Sequence, residues 1–247
     1  MHKGGLLLFL LCLLTGCTSP SEETRRIRLI EQNAPAVVAL NILRPNGGTF
    51  TATGFVLTPD GLIATTRHIV ENTAYINATF SNGAVSAKAQ PVAVSNRTDL
   101  ALLRIPAKHL RTVQLVSSGQ VRPGQNIIVI GNPRRLQNSV STGIISQVRQ
   151  KSDGTLLHQV TTPLSPSSSG SPVFDEKGRV ISIVFGSYAG ADNQNLNFSI
   201  PSDYLIDLVH TAGLKLPSEE DTRFSSNPFV RHVQKSWSIL KRIFRRK

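Results

Sequence analysis

The sequence predicts an all-β sandwich or barrel, and three observations carry that expectation. Short runs rich in β-branched and apolar residues recur at about ten-residue spacing between residues 36 and 200. Turn signals of the type PNGG, PDG, SNG, RPG, SDG and EKG separate them. No helical pattern falls between consecutive runs, which argues against the alternating texture of a parallel βαβ sheet.

Taken in order, the chain opens with a lysine and an apolar run from Leu6 to Leu14, then Thr15 and Gly16 before Cys17. This is the pattern of an export signal over residues 1–16, too short to span as a stable transmembrane helix. Leu14-Thr15-Gly16-Cys17 resembles the bacterial lipobox, which implies cleavage before Cys17 and lipidation of its thiol and amine; an ordinary secretory signal is the alternative. More than one acyl chain gives lasting membrane attachment. Residues 17–33 then read as a lipidated, polar tether followed by a short helix, TRRIRLIEQN, with Ile27, Ile30 and Leu29 on one side.

The β-rich runs follow as AVVALNIL, TFTATGFVL, LIATT, AYINATF, VSAKAQPVAV, LALLRI, NIIVIG, SVSTGIISQV, LLHQVTT, RVISIVFG and NLNFSI. PSDYLIDLVHTAG reads as a helix with Ser202 as its N-cap and Gly213 as its stop. The only cysteines are Cys12 and Cys17, so the mature chain is expected to hold itself by its core, without a disulfide or a cysteine metal site.

The net charge of +12 is concentrated at the end: Thr222 to Lys247 carries eight Lys or Arg and no acid. No nucleic-acid module is recognisable, and a membrane surface is the acidic partner that suits an exported lipoprotein. In residues 217–247 a helical wheel gathers Phe229, Val230, Val233, Trp237, Leu240, Ile243 and Phe244 on one side. Arg231, Lys235, Arg242, Arg245 and Arg246 share the other. Such a basic amphipathic helix suits an interfacial anchor, or alternatively a stripe packed on the protein itself or on a partner subunit.

Three residues in the β region point to chemistry only when read together. His68 follows a strand in LIATTRHIV, Asp99 stands 31 residues later before an apolar strand, and Ser169 lies in the serine cluster SPSSSGSPVF. A lone histidine beside apolar residues is ordinarily structural, an Asp before a strand ordinarily a cap, and a serine cluster ordinarily a polar turn. A serine hydroxyl reacts only with a base to take its proton and a group to orient that base, and the order His, Asp, Ser supplies both.

The phrases GFVLTPDGLIATTRHIV, RTDLALLRI, VRPGQNIIVIGNP, STGIIS, SPSSSGSPVFDEKGRVISI and NLNFSIP resemble the protease domain of HtrA-type trypsin-like serine peptidases. The resemblance implies a domain over residues 34–216 built of two six-stranded antiparallel β-barrels with the active site in the cleft between them. It implies His68 as general base, Asp99 as its orienting partner, Ser169 as nucleophile, and the N–H groups of Ser167 and Ser169 as the oxyanion hole. Ser168 and Ser171 then read as turn packing. Pro166, Val184, Phe185, Gly186 and Asn197 fall around the substrate pocket, with no acid placed to attract Lys or Arg, so cleavage after small or medium apolar residues is expected. No cofactor or metal is implied. Homotrimers are common in the family, with residues 24–33 as the candidate assembly segment.

The chain departs from the family pattern in two ways. Position 167 is expected to be glycine, and a serine there makes the oxyanion-binding conformation less accessible. No C-terminal PDZ domain is expected in the residues after Leu216, so selectivity falls to the cleft or to membrane co-localisation. The expectation is an envelope-anchored serine endopeptidase acting on misfolded or membrane-proximal proteins, on the periplasmic face of the outer membrane in a bacterium with two membranes. The rivals are a weak or inactive trypsin-like fold serving as a peptide-binding chaperone or scaffold, and an interaction lipoprotein working through its basic tail.

Overall fold

A computed structural model describes residues 20–81, 86–132, 138–187 and 196–217. The signal, Cys17 and the basic tail of the sequence reading lie outside the described residues.

The first barrel comprises β1 (Val37–Leu43), β2 (Thr49–Val56), β3 (Leu62–Thr66), β4 (Tyr75–Phe80), β5 (Ser86–Lys88), β6 (Gln90–Ser95) and β7 (Leu100–Arg104). Their sheet order is β5-β4-β1-β2-β3-β7-β6, antiparallel throughout. The ends of that order, β5 and β6, are halves of one bent strand joined at Ala89. The first half pairs β4 and the second pairs β7, so the sheet curls round as the chain turns this corner, without a ladder between its two ends. The single run VSAKAQPVAV thus becomes two short strands. Leu100, Ala101, Leu102 and Leu103 on β7 are all fully buried, because one face of β7 looks into the barrel and the other lies under a helix. Burying each such leucine contributes about 1.5–3 kcal/mol.

The second barrel comprises β8 (Gln114–Leu115), β9 (Asn126–Gly131), β10 (Ser139–Gln150), β11 (Leu156–Val160), β12 (Pro172–Phe174), β13 (Arg179–Ser187) and β14 (Asn197–Pro201). Six strands in the order β12-β9-β10-β11-β14-β13 close by a direct β12–β13 ladder, and β8 adds outside as a short parallel partner of β13. Ile127, Val129, Ile145, Val160, Val173, Ile181 and Val184 form one core of this barrel. A larger cluster runs from the first barrel into the second through Ile128, Ile130, Phe174 and Ile183.

Helix α1 (Glu22–Asn33) starts where the Ser21 hydroxyl accepts from the Thr24 N–H, with Glu22 and Glu23 in the first turn favoured by the helix dipole. Leu29 and Asn33, one turn apart, are its buried residues, and they close over Gly178 in the β12–β13 turn. Ile27 is 48% exposed, which corrects the expected apolar side: it lies roughly 200° around the helix from Leu29. The one-turn helix α2 (Arg67–Val70) follows β3 directly. Helix α3 (Ser202–Thr211) packs on β6 and β7 of the first barrel and on β13 and β14 of the second, so it fastens the two together. Pro201, not Ser202, occupies its N-cap, and the Ser202 hydroxyl instead donates to the Val116 carbonyl on the interbarrel segment. Gly213 lies past the end at φ +69°, in the conformation expected of a helix stop.

The same junction carries two titrating groups. Burial acts to raise the pKa of Asp203, but hydrogen bonds from the Ser117 hydroxyl and from the Ser118 hydroxyl and N–H outweigh it and hold the carboxylate below its usual range. His158 on β11 is 2% exposed with Nδ1 unpartnered, and burial pushes it down to about 4, against a smaller upward pull from Asp203. Because the folded state resists protonating His158 while the unfolded chain does not, stability is expected to fall as pH drops from about 6.5 to about 4, by about 3 kcal/mol. Chemical denaturation across that range with wild type and His158→Leu checks this. The variant should show the shallower slope, and equal slopes would dismiss His158 as the source.

Candidate active site

Asp99 sits in the turn from β6 to β7 at φ +54°, a left-handed conformation that Asp tolerates better than most residues. The Ser95 hydroxyl, accepting from both the N–H and the hydroxyl of Thr98, fixes that turn. Asp99 then does for α2 what no side chain at Thr66 does. Its carbonyl accepts from the Arg67 N–H at 2.9 Å and its Oδ1 from the His68 N–H at 3.0 Å, so it caps the first turn from outside.

Its other carboxylate oxygen, Oδ2, lies 2.6 Å from His68 Nδ1. An ionised carboxylate can only accept, so Nδ1 carries the proton and the unprotonated Nε2 is left to receive one. The Asp99 side chain is 16% exposed and that of His68 42% exposed, so the carboxylate lies inside and the ring reaches the surface. The Arg67 guanidinium approaches Asp99 at 3.8 Å and adds positive charge beside the carboxylate. Both residues thus belong to the first barrel.

Ser169 comes from the second. Its hydroxyl donates to the Phe185 carbonyl at 3.2 Å, while the Phe185 ring meets the His68 ring edge-on at 6.3 Å between centroids. Phe185 on β13 is therefore the residue that touches both Ser169 and His68. The Ser169 hydroxyl is thus turned to the carbonyl.

The turn around Ser169 is tightly bonded. Ser168 N–H donates to the Ser165 carbonyl, Ser171 N–H to the Ser168 carbonyl, and the Ser168 hydroxyl accepts from the Ser165 N–H. Ser168 and Ser171 are buried, in keeping with packing positions. Among the described residues, neither the Ser167 N–H nor the Ser169 N–H has a protein acceptor, which leaves two donors for a ligand. Ser167 stands at φ +80°, in the left-handed region that a serine adopts less readily than glycine.

Of the other expected pocket residues, Pro166 is exposed, and Phe185 and Gly186 are half-buried next to a β-bulge between Val184 and Gly186. The Val184 side chain points into the barrel core, and its backbone instead anchors the turn, accepting from Gly170 N–H and donating to the Ser171 carbonyl. Asn197 is buried and donates from Nδ2 to the Thr162 carbonyl. The sequence reading did not single out Thr53, whose backbone and hydroxyl reach the Ser169 turn from the other barrel. Its partners there are main-chain atoms, which leave no mark on residue identity.

Residues 52–183 match the model of the trypsin-like peptidase domain family, more than half of the chain. A probable periplasmic serine endoprotease of Halomonas elongata is 34% identical over 169 residues, covering 63% of this chain and 34% of its own length. The mitochondrial serine protease HTRA2 of Bos taurus is 32% identical over 212 residues, covering 78% of this chain and 44% of its own. The solved structure of the HtrA-type protease AlgW with a tripeptide superposes with a TM-score of 0.70 at 25% identity, over 78% of this chain and 63% of that one. The chain spans well under half the length of these curated relatives.

Gly170, at φ +84°, marks a close approach of the two barrels. A methyl group placed there would sit 2.1 Å from the Thr53 carbonyl oxygen and 2.4 Å from the Thr65 hydroxyl. Gly170→Ala is expected to destabilise the fold by about 3 kcal/mol, from the clash and the left-handed backbone together. A denaturant midpoint unchanged by this substitution would contradict the contact.

Proposed function

The chain belongs to the HtrA-type trypsin-like serine peptidases, and from that premise we propose that it is an envelope-anchored serine endopeptidase acting through His68, Asp99 and Ser169. The observation that carries this reading is the 2.6 Å contact of His68 Nδ1 with Asp99 Oδ2 beside the Phe185 residue that also holds Ser169. A serine hydroxyl is a weak nucleophile at neutral pH. In the proposed reaction Ser169 Oγ leaves the Phe185 carbonyl and attacks the scissile peptide carbonyl as its proton passes to His68 Nε2. His68 then gives that proton to the departing amine, and water repeats the sequence on the acyl-enzyme. Asp99 keeps the ring in its Nδ1–H form and offsets the charge of the imidazolium. The N–H groups of Ser167 and Ser169 receive the oxyanion, an interaction whose loss typically costs about 2.7–4 kcal/mol.

The substrates we propose are misfolded or membrane-proximal polypeptides, cleaved after small or medium apolar residues, with Phe185, Gly186, Pro166 and Asn197 around the pocket. Cys17 carries the lipid, residues 217–247 add a basic membrane contact, and residues 24–33 serve assembly. The relatives include proteins described as periplasmic endoproteases, which supports an envelope location. A second reading, a weak or non-catalytic peptide binder, draws on one observation: the Ser169 hydroxyl rests on a carbonyl and not on the histidine.

The full chain in detergent should cleave casein and take up a fluorophosphonate probe, and Ser169→Ala should abolish both. Asp99→Asn should lower kcat by about 10⁴-fold, the loss expected when the ring adopts the wrong tautomer. A folded wild type that neither cleaves nor labels would leave the binder reading in place. Separately, Cys17→Ser should shift the protein from the membrane pellet to the soluble fraction of envelope extracts, and persistence in the pellet would refute the lipid anchor.

A further inference from the structure

We propose that Thr53, on β2 of the first barrel, is a positioning residue that holds the Ser167–Ser169 turn of the second barrel in its oxyanion-binding form; this rests on the serine-peptidase reading above. Thr53 grips two carbonyls of the turn. Its hydroxyl donates to the Ser167 carbonyl at 2.9 Å, and its N–H donates to the Ser169 carbonyl at 3.1 Å. The Thr53 carbonyl in turn accepts from the Thr65 hydroxyl at 2.8 Å, which ties the grip to β3.

The direction of the hydroxyl is not free. The Asn132 N–H donates to Thr53 Oγ1 at 3.0 Å, and a backbone N–H can only donate. The one proton of the hydroxyl therefore goes to Ser167. Thr53 is fully buried, so water has no access to take its place.

This bond has a particular task here because residue 167 is a serine at φ +80°. An L-residue in the left-handed region is disfavoured by about 1–2 kcal/mol, whereas glycine is not. Relaxing to negative φ would swing the Ser167 N–H relative to its carbonyl and so withdraw a donor from the oxyanion. A relaxation that carried the Ser167 carbonyl with it would break the Thr53 hydrogen bond, and that is the movement Thr53 opposes. Thr53 thus supplies from the neighbouring barrel the conformational hold that a glycine at 167 would not need.

The test is a double-mutant cycle on the full chain in detergent, reading kcat, KM and Tm with a peptide substrate. Thr53→Val keeps the shape and removes the hydroxyl; Thr53→Ser keeps the hydroxyl. With Ser167 present, Thr53→Val should lower kcat by about 10²-fold, the loss expected for one oxyanion donor, with KM little changed, and Thr53→Ser should restore most of it. Combined with Ser167→Gly, the same Thr53→Val should cost less than about tenfold, because glycine keeps positive φ unaided. Should Thr53→Val not fold, Thr53→Cys, a weaker donor, carries the same comparison. An equal loss in both backgrounds, no loss at all, or a loss through KM that tracks Tm would overturn the proposal while wild-type cleavage still stood. Absence of cleavage and of Ser169 labelling in every folded variant would remove the peptidase reading and this proposal with it.

Discussion

The geometry of this molecule depends on how closely the turn at residues 167–170 can approach β2. His68 and Asp99 lie wholly within the first barrel, and Ser169 wholly within the second. Nothing covalent near the cleft aligns them. What does is a main-chain contact at Gly170 that leaves no room for a side chain, reinforced by the hydrogen bonds of Thr53 and Thr65. Interiors are packed like molecular crystals, so such a contact has one arrangement and not a range of them.

Around that contact the polar groups form a division of labour. The Asp99 carboxylate accepts from the His68 N–H and meets the imidazole Nδ1, while its main-chain carbonyl accepts from the Arg67 N–H, so all three partners are local to α2. It is therefore as much a part of the fold as of the site. A carboxylate whose second oxygen is pinned by a main-chain N–H holds its orientation beside the ring in a way that mobile water would not. On α3 Asp203 is held in a comparable way by Ser117 and Ser118, and there the result is purely architectural: the helix is fastened to the segment that links the barrels.

Much of this was legible in the sequence, for identifiable reasons. The strands were visible because apolar alternation and turn residues are local signals, and the order of His68, Asp99 and Ser169 was visible because the phrases around them are distinctive. The misses have a common cause. β12 is three residues long and hidden in a serine-rich stretch, and β8 is two residues long and exists only through its pairing with β13. The helical pattern of α1 announced a helix but not which side would meet Gly178, so Ile27 was misplaced. Ser202 has the identity of a cap and a hydroxyl used elsewhere. The positive φ of Ser167 could be suspected from its position, but the role of Thr53 could not, because its partners are carbonyls more than a hundred residues away.

That separation also bears on the order in which the molecule assembles. The Thr53–Ser167 hydrogen bond spans 114 residues of chain, whereas the hairpins of each barrel close over a few. Long-range contacts form after local ones because the entropy of closing the intervening loop must first be offset. By that reasoning Ser169 is brought to His68 only once the two barrels meet. A chain whose strands are still extended does not yet hold Ser169 and His68 in one place, so the arrangement described here belongs to the finished fold alone.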